Sequence, residues 1–259
     1  MKNYLNKHRV VFSFLVVLYA VCAAVTGMEH SLLWTGGPYK PGINSFLFLA
    51  LFSDFELLSG IIPLFIIILV SDLMARHWFS DMKVWSIIRG GYAPFIRQNF
   101  LNIILVITAF IVVGDLLSLI GLMIVDGNNW TMDSYTIAPG LGGHHGPILT
   151  MLLLFFFQWM QAIFYAFATF VFLLITKRIW ETIVYPFLFL IVVPILLVYV
   201  LDFMSEKYLF PSITAVLVQK NQSNQPVIDN LTAWIGGSLL MMLVTFVILT
   251  IKKRKGLVR

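Results

Sequence analysis

Six stretches of this chain run for about twenty residues or more with almost no charge, at roughly 10–28, 57–75, 100–125, 148–175, 183–201 and 233–251. A hydrocarbon core about 30 Å thick is crossed by about 20 apolar residues in a helix. With no water there to bond the backbone, each run must satisfy its own N–H and C=O groups as a helix. Charged residues are 11% of the 259 and hydrophobic ones 60%, whereas soluble domains carry about 25% charged residues. The chain reads as an all-α polytopic membrane protein. It is one domain over residues 1–259 with six transmembrane helices and no room for a separate soluble catalytic domain.

The runs differ in their borders. The first follows Lys2, Lys7 and Arg9 and ends among Ala20, Ala23 and Ala24, as a signal peptide does, but it is longer than a signal core and reads as a retained helix. The apolar stretch from Ser45 to Ala75 is too long for one upright helix and contains Asp54 and Glu56. It divides into an interfacial piece to about Phe55 and a crossing over 57–75, with both acids near the water boundary.

Loop charge sets the orientation. Of 17 Lys and Arg residues, all but Lys40, Lys207 and Lys220 fall in the N-terminus, the segment between the second and third runs, the turn Thr176-Lys177-Arg178 and the C-terminal tail. Cytoplasmic loops carry the excess of basic residues, so both termini are expected inside the cell, in a multi-pass protein of the plasma membrane. The net charge of +5 reports this orientation and not nucleic acid binding.

Signatures of membrane-embedded chemistry are missing from the sequence. There is no His-Glu-x-x-His, no Gly-x-Ser-x-Gly, no glycine-rich phosphate loop and no paired glutamates on a run. Gly140-Leu141-Gly142-Gly143 approaches the Gly-x-Gly-Asp of intramembrane aspartyl proteases, but Gly143 stands where the aspartate is required. His144 and His145 lack helical ligand spacing and a nearby cysteine, and the single Cys22 allows neither a disulfide nor a thiolate cage. No metal, cofactor or catalytic residue is expected. Asp115 lies deep in the third run, where a carboxylate is costly unless it faces protein or a wet path. It is a candidate for a substrate pathway, with Asp54 and Glu56, although Gly114, Ser118 and Gly121 beside it equally suit plain helix packing.

The inner segment Arg76 to Arg97 carries the most information. Trp78, Met82 and Trp85 recur at helical spacing as one apolar stripe, and Gly90-Gly91 stops the pattern. This predicts a short amphipathic cytoplasmic helix after the second span, lying on the membrane surface or docking into a cytoplasmic partner.

The order of these features resembles the permease subunits of type-2 ATP-binding-cassette exporters of Gram-positive bacteria. It runs from Pro63 to Asp72 at the end of a span, through the short helix, to Arg89-Gly90-Gly91-Tyr92 and Arg97-Gln98-Asn99-Phe100 before the next span. The resemblance implies a membrane subunit that pairs with a second copy or a sister permease and binds two separate ATPase subunits. Trp78, Met82, Lys83, Trp85 and Arg89 would form the ATPase-coupling surface, and a peptide or amphipathic substrate would be exported by alternating access. The competing readings are a polytopic membrane enzyme of unrecognised motif and a non-transporting immunity or scaffold protein. Whether a neighbouring reading frame encodes an ATPase of this class discriminates among them.

Overall fold

The computed structural model describes residues 9–22, 61–79, 92–126, 147–193, 196, 228–229 and 231–254. Every secondary-structure element among them is helical. They are α1 (Arg9–Cys22), α2 (Ile61–Trp78), α3 (Tyr92–Asp126), α4 (Pro147–Ile175), α5 (Glu181–Phe187, continued by a π-helical turn Leu188–Val192) and α6 (a π-helical turn Thr232–Gly236, continued by Gly237–Arg254). Three stretches are long and apolar enough to cross a bilayer: Pro94–Gly121, Phe155–Ile175 and Thr232–Ile251.

Burial separates a central helix from a peripheral one. On α4, 72% of the most apolar stretch is buried inside the chain, against 22% on α6. Buried residues of α4 include Gln161, Ala162, Ile163, Tyr165, Ala166, Phe167, Ala168 and Thr169, which point in every direction around the helix. Accordingly α4 packs against α2, α3, α5 and α6. On α6 the buried residues Trp234, Ser238, Thr245 and Leu249 fall on one face, while Leu243 and Phe246 on the opposite side are 61% and 72% exposed. In water so greasy a face would be a liability, but in a bilayer it is the expected lipid contact.

Aromatic rings fill the spaces between helices. Phe100 of α3 meets Phe167 and Phe170 of α4 edge-on, with centroids 5.1 and 5.4 Å away. Phe164 of α4 lies 5.7 Å from Trp234 of α6, and Phe172 stacks on Phe189 at 5.6 Å to hold α5. The turn from α4 into α5 is closed by Glu181, whose Oε2 accepts the backbone N–H groups of Lys177 and Arg178 at 2.9 and 3.2 Å.

Pro186 sits inside α5. Proline has no N–H to offer the carbonyl four residues back, which is that of Thr182. The Ser71 hydroxyl of α2 donates to this carbonyl at 2.8 Å, with both residues fully buried. A side chain from a neighbouring helix thus satisfies the acceptor that proline leaves open, the device that makes proline tolerable inside lipid. The helix widens into its π turn directly after the proline.

Two boundaries differ from the sequence reading. The third helix begins at Tyr92 and not near Phe100, and its 35 residues span about 52 Å at 1.5 Å each, so the basic stretch to Arg97 is its first turns. The second helix runs on through Trp78, which makes that tryptophan part of α2 and not the first member of a separate surface helix.

Candidate functional site

The most conspicuous polar cluster joins α1, α3 and α4. Asp115 is 5% exposed. Its Oδ1 accepts the Tyr19 hydroxyl at 2.6 Å, and the Tyr19 oxygen in turn accepts Nε2–H of Gln158 at 2.5 Å. Tyr19 is fully buried and Gln158 is 2% exposed. The phenol oxygen therefore both donates and accepts, and it links three helices through one atom. Phe110 packs against the Tyr19 ring with centroids 5.4 Å apart. One turn along α3, the Ser118 hydroxyl lies 2.8 Å from the Gly114 carbonyl and 3.3 Å from the Ala20 carbonyl of α1, which continues the polar seam.

Local sequence explains why these groups meet. Leu15, Val16 and Tyr19 form the buried stripe of α1 at helical spacing, and Gly114 of α3 has no side chain to keep the Tyr19 ring away. Asp115 shares its face of α3 with Ile111 and Ser118, both at most 1% exposed. Along the α3 axis Asp115 stands 18 residues from Arg97, about 27 Å at 1.5 Å each. About two turns nearer the start of α3 than Asp115, a second polar link joins α3 to α4, where Trp159 Nε1–H donates to Thr108 Oγ1 at 2.8 Å.

The second place of interest is where α2 and α3 approach α4. Trp78 is 6% exposed, with its ring 6.0 Å from both Phe95 of α3 and Phe170 of α4. Residues 80–91 thus leave from and return to helices that are clamped by one ring cluster.

Of the residues singled out in the sequence, Asp115 is turned into the α1–α3–α4 cluster and Trp78 into the α2–α3–α4 clamp. Asp54, Glu56, Met82, Lys83, Trp85, Arg89, His144 and His145 lie outside the described residues. Among the described residues no group of three or more His, Cys, Asp or Glu side chains could hold a metal ion. The sequence reading missed Tyr19, Gln158 and Ser71. Each is a polar group within an apolar run, and such groups in lipid find one another.

Among the described residues these features define an all-helical fold with three helices long and apolar enough for a membrane, tied internally by buried polar links. No family model, no curated protein and no solved structure matches it.

Proposed function

We propose that the chain is the membrane-spanning permease subunit of an ATP-driven exporter of the type-2 ATP-binding-cassette class. It would reside in the plasma membrane with six crossings and both termini cytoplasmic, and act with a second permease and two ATPase subunits. The observation that carries this reading is the clamp of Trp78 between Phe95 and Phe170. Both ends of residues 80–91 are held by it, so a partner pushing on that segment moves α2, α3 and the central α4 together. A coupling segment needs that property, because a force applied to a loosely attached loop is dissipated before it reaches the spans.

In this scheme Met82, Lys83, Trp85 and Arg89 contact the ATPase, while Trp78 transmits the motion from inside the bundle. ATP binding draws the two ATPases together and rocks the helices to alternate access. A peptide or amphipathic cargo suits the acids Asp54, Glu56 and Asp115, and the last becomes accessible only when α1 leaves α3.

Capture with a tagged ATPase encoded beside this chain tests the reading. Met82→Asp or Trp85→Asp places a charge in the docking patch and is expected to abolish co-purification while membrane insertion persists. Undiminished capture with both variants retires the proposal. A cysteine placed at Ser223 in a Cys22→Ser background should be labelled by an impermeant reagent from outside, and labelling only from the cytoplasm overturns the orientation.

A further inference from the structure

The turn between α4 and α5 shows side chains of opposite character on a fixed backbone. The Thr176 N–H donates to the Phe172 carbonyl at 2.9 Å and ends α4. Glu181 then holds the N–H groups of Lys177 and Arg178. Thr182 closes the far side, its N–H and its hydroxyl both donating to the Ile179 carbonyl, at 3.1 and 2.6 Å, and its own carbonyl is moored to α2 through Ser71. On this support Lys177, Arg178, Ile179 and Trp180 follow one another, all exposed. Tyr185 of α5 sets its ring 6.5 Å from that of Trp180 and is itself 39% exposed.

Neither water nor hydrocarbon suits this set. Ile175, Ile179 and Trp180 are 60, 47 and 52% exposed, an apolar surface that water disfavours, while a lysine and an arginine are costly inside lipid. The level that suits both is the headgroup boundary, where tryptophan and tyrosine set their rings among the upper acyl chains and their polar ends among the headgroups. Among the described residues neither the Lys177 ammonium nor the Arg178 guanidinium has a hydrogen-bond or ion-pair partner. The carboxylate of the turn, Glu181, accepts backbone N–H groups instead. What complements two neighbouring cations beside exposed rings is an anion presented at the level of those rings. A lipid phosphate meets that requirement, taken by the arginine fork and by the lysine as a point charge. A soluble phosphate carries the same charge but brings no acyl chain for Ile179 and Trp180.

We propose that the α4–α5 turn binds an anionic phospholipid, with Lys177 and Arg178 on its charged headgroup and Ile179, Trp180 and Tyr185 against its upper acyl chains. The site lies at the end of α4, so the lipid is held against the helix on which α2, α3, α5 and α6 pack. This inference rests on residence of the chain in a membrane and not on transport, and its test uses no ATPase.

The experiment reads Trp180 fluorescence of the full chain in phosphatidylcholine nanodiscs that carry brominated phosphatidylglycerol or, at equal mole fraction, brominated phosphatidylcholine. Bromine on the upper acyl chain quenches a nearby indole, and subtracting the signal of Trp180→Phe isolates that ring. Brominated phosphatidylglycerol is expected to quench at a lower mole fraction than brominated phosphatidylcholine, by about fivefold for each of the two basic side chains. Lys177→Gln combined with Arg178→Gln should remove the preference, and the exchange Lys177→Arg with Arg178→Lys should keep it. Lys252→Gln combined with Lys253→Gln, which takes the same charge from the C-terminal tail, should leave it intact, and glycerol phosphate in solution should not reverse it. Equal quenching by the two lipids overturns the proposal and leaves the exposed turn to a protein partner. An equal loss in the tail variant reduces the preference to the general charge of the chain, and reversal by glycerol phosphate makes the ligand a soluble phosphate; either result overturns it too. Quenching by neither lipid overturns it differently, by placing the turn away from the bilayer and so counting against membrane residence of this end.

Discussion

The ring of Tyr19 occupies the space that any side chain at Gly114 would need. A methyl group built on the Gly114 Cα would overlap Cδ1 and Cε1 of that ring. Glycine within a helix costs about 0.5–1 kcal/mol relative to alanine, and here the close approach of α1 and α3 offsets it. The ring cannot retreat, since its hydroxyl is fixed between Asp115 and Gln158.

Gly114→Ala is therefore expected to destabilise the protein by about 1–3 kcal/mol, the usual range for overpacking a filled core. Gly121 has open space where its side chain would lie, so Gly121→Ala should stabilise by roughly 0.5–1 kcal/mol through helix propensity. Thermal unfolding of the two variants in one detergent compares them. Equal Tm values would mean that α1 does not sit against Gly114.

Ser71 and Pro186 form a second testable pair. Ser71→Ala leaves the buried Thr182 carbonyl without its donor, a loss of about 1–3 kcal/mol. Pro186→Ala returns an N–H to the helix ladder and supplies that carbonyl from within α5. The double variant should thus recover most of the stability lost in Ser71→Ala, giving a coupling energy of at least 1 kcal/mol by the usual range for groups sharing a partner. Additive effects in the cycle would show that the Ser71 hydroxyl serves something other than the gap left by proline.

How much of this was legible in the sequence depends on which physical signal each feature leaves. The apolar run at 148–175 and the helix Pro147–Ile175 agree, because lipid-facing and core-facing positions of the central helix are apolar alike. The apolar run begins at Phe100 and α3 eight residues earlier, at Tyr92, because hydropathy marks where lipid begins while hydrogen bonding marks where a helix begins. Pro94 is tolerated in a first turn, where its missing N–H has no helical partner to lose, and exposed Arg97 and Gln98 continue the helix beyond the apolar boundary. Asp115 stood out as a carboxylate in an apolar run, but its partner is 96 residues away. Nothing local in a sequence says which helix faces meet. The position of Trp78 is hidden for a related reason: the i, i+4, i+7 spacing with Met82 and Trp85 exists, yet the first member completes α2 and is covered by Phe95 and Phe170.

That distinction yields a third prediction. Trp78→Ala removes a ring buried among two others and should destabilise by about 3–5 kcal/mol, whether or not an ATPase is present. If Trp85 belongs to the docking surface proposed above, Trp85→Asp should abolish ATPase capture with a Tm within ~2 °C of wild type, the shift that follows from a change of no more than about 0.5 kcal/mol. Reversal of the two phenotypes would place the docking surface at Trp78 and the structural ring at Trp85.

Ser238 presents the opposite case to Ser71. Its hydroxyl is buried on α6 and has no hydrogen-bond partner among the described residues, and the same holds for Oε1 of Gln161 on α4. Removing an unpaired buried polar atom loses no bond and relieves desolvation. Ser238→Ala should leave Tm unchanged or raise it by up to ~3 °C, measured by the same thermal scan. A fall of several degrees would reveal a partner for this hydroxyl.

The three-helix link through the Tyr19 oxygen also fixes an order of assembly. Tyr19 is joined to a group 96 residues later in the chain and to another 139 residues later. Synthesis proceeds from the N-terminus, so α1 is made before either Asp115 or Gln158 exists. Its hydroxyl stays unsatisfied by them until α3 and then α4 arrive. The central helix that anchors α2, α3, α5 and α6 is thus also the one whose emergence from the ribosome lets α1 dock. α1, made before α3 and α4, finds its place only after both.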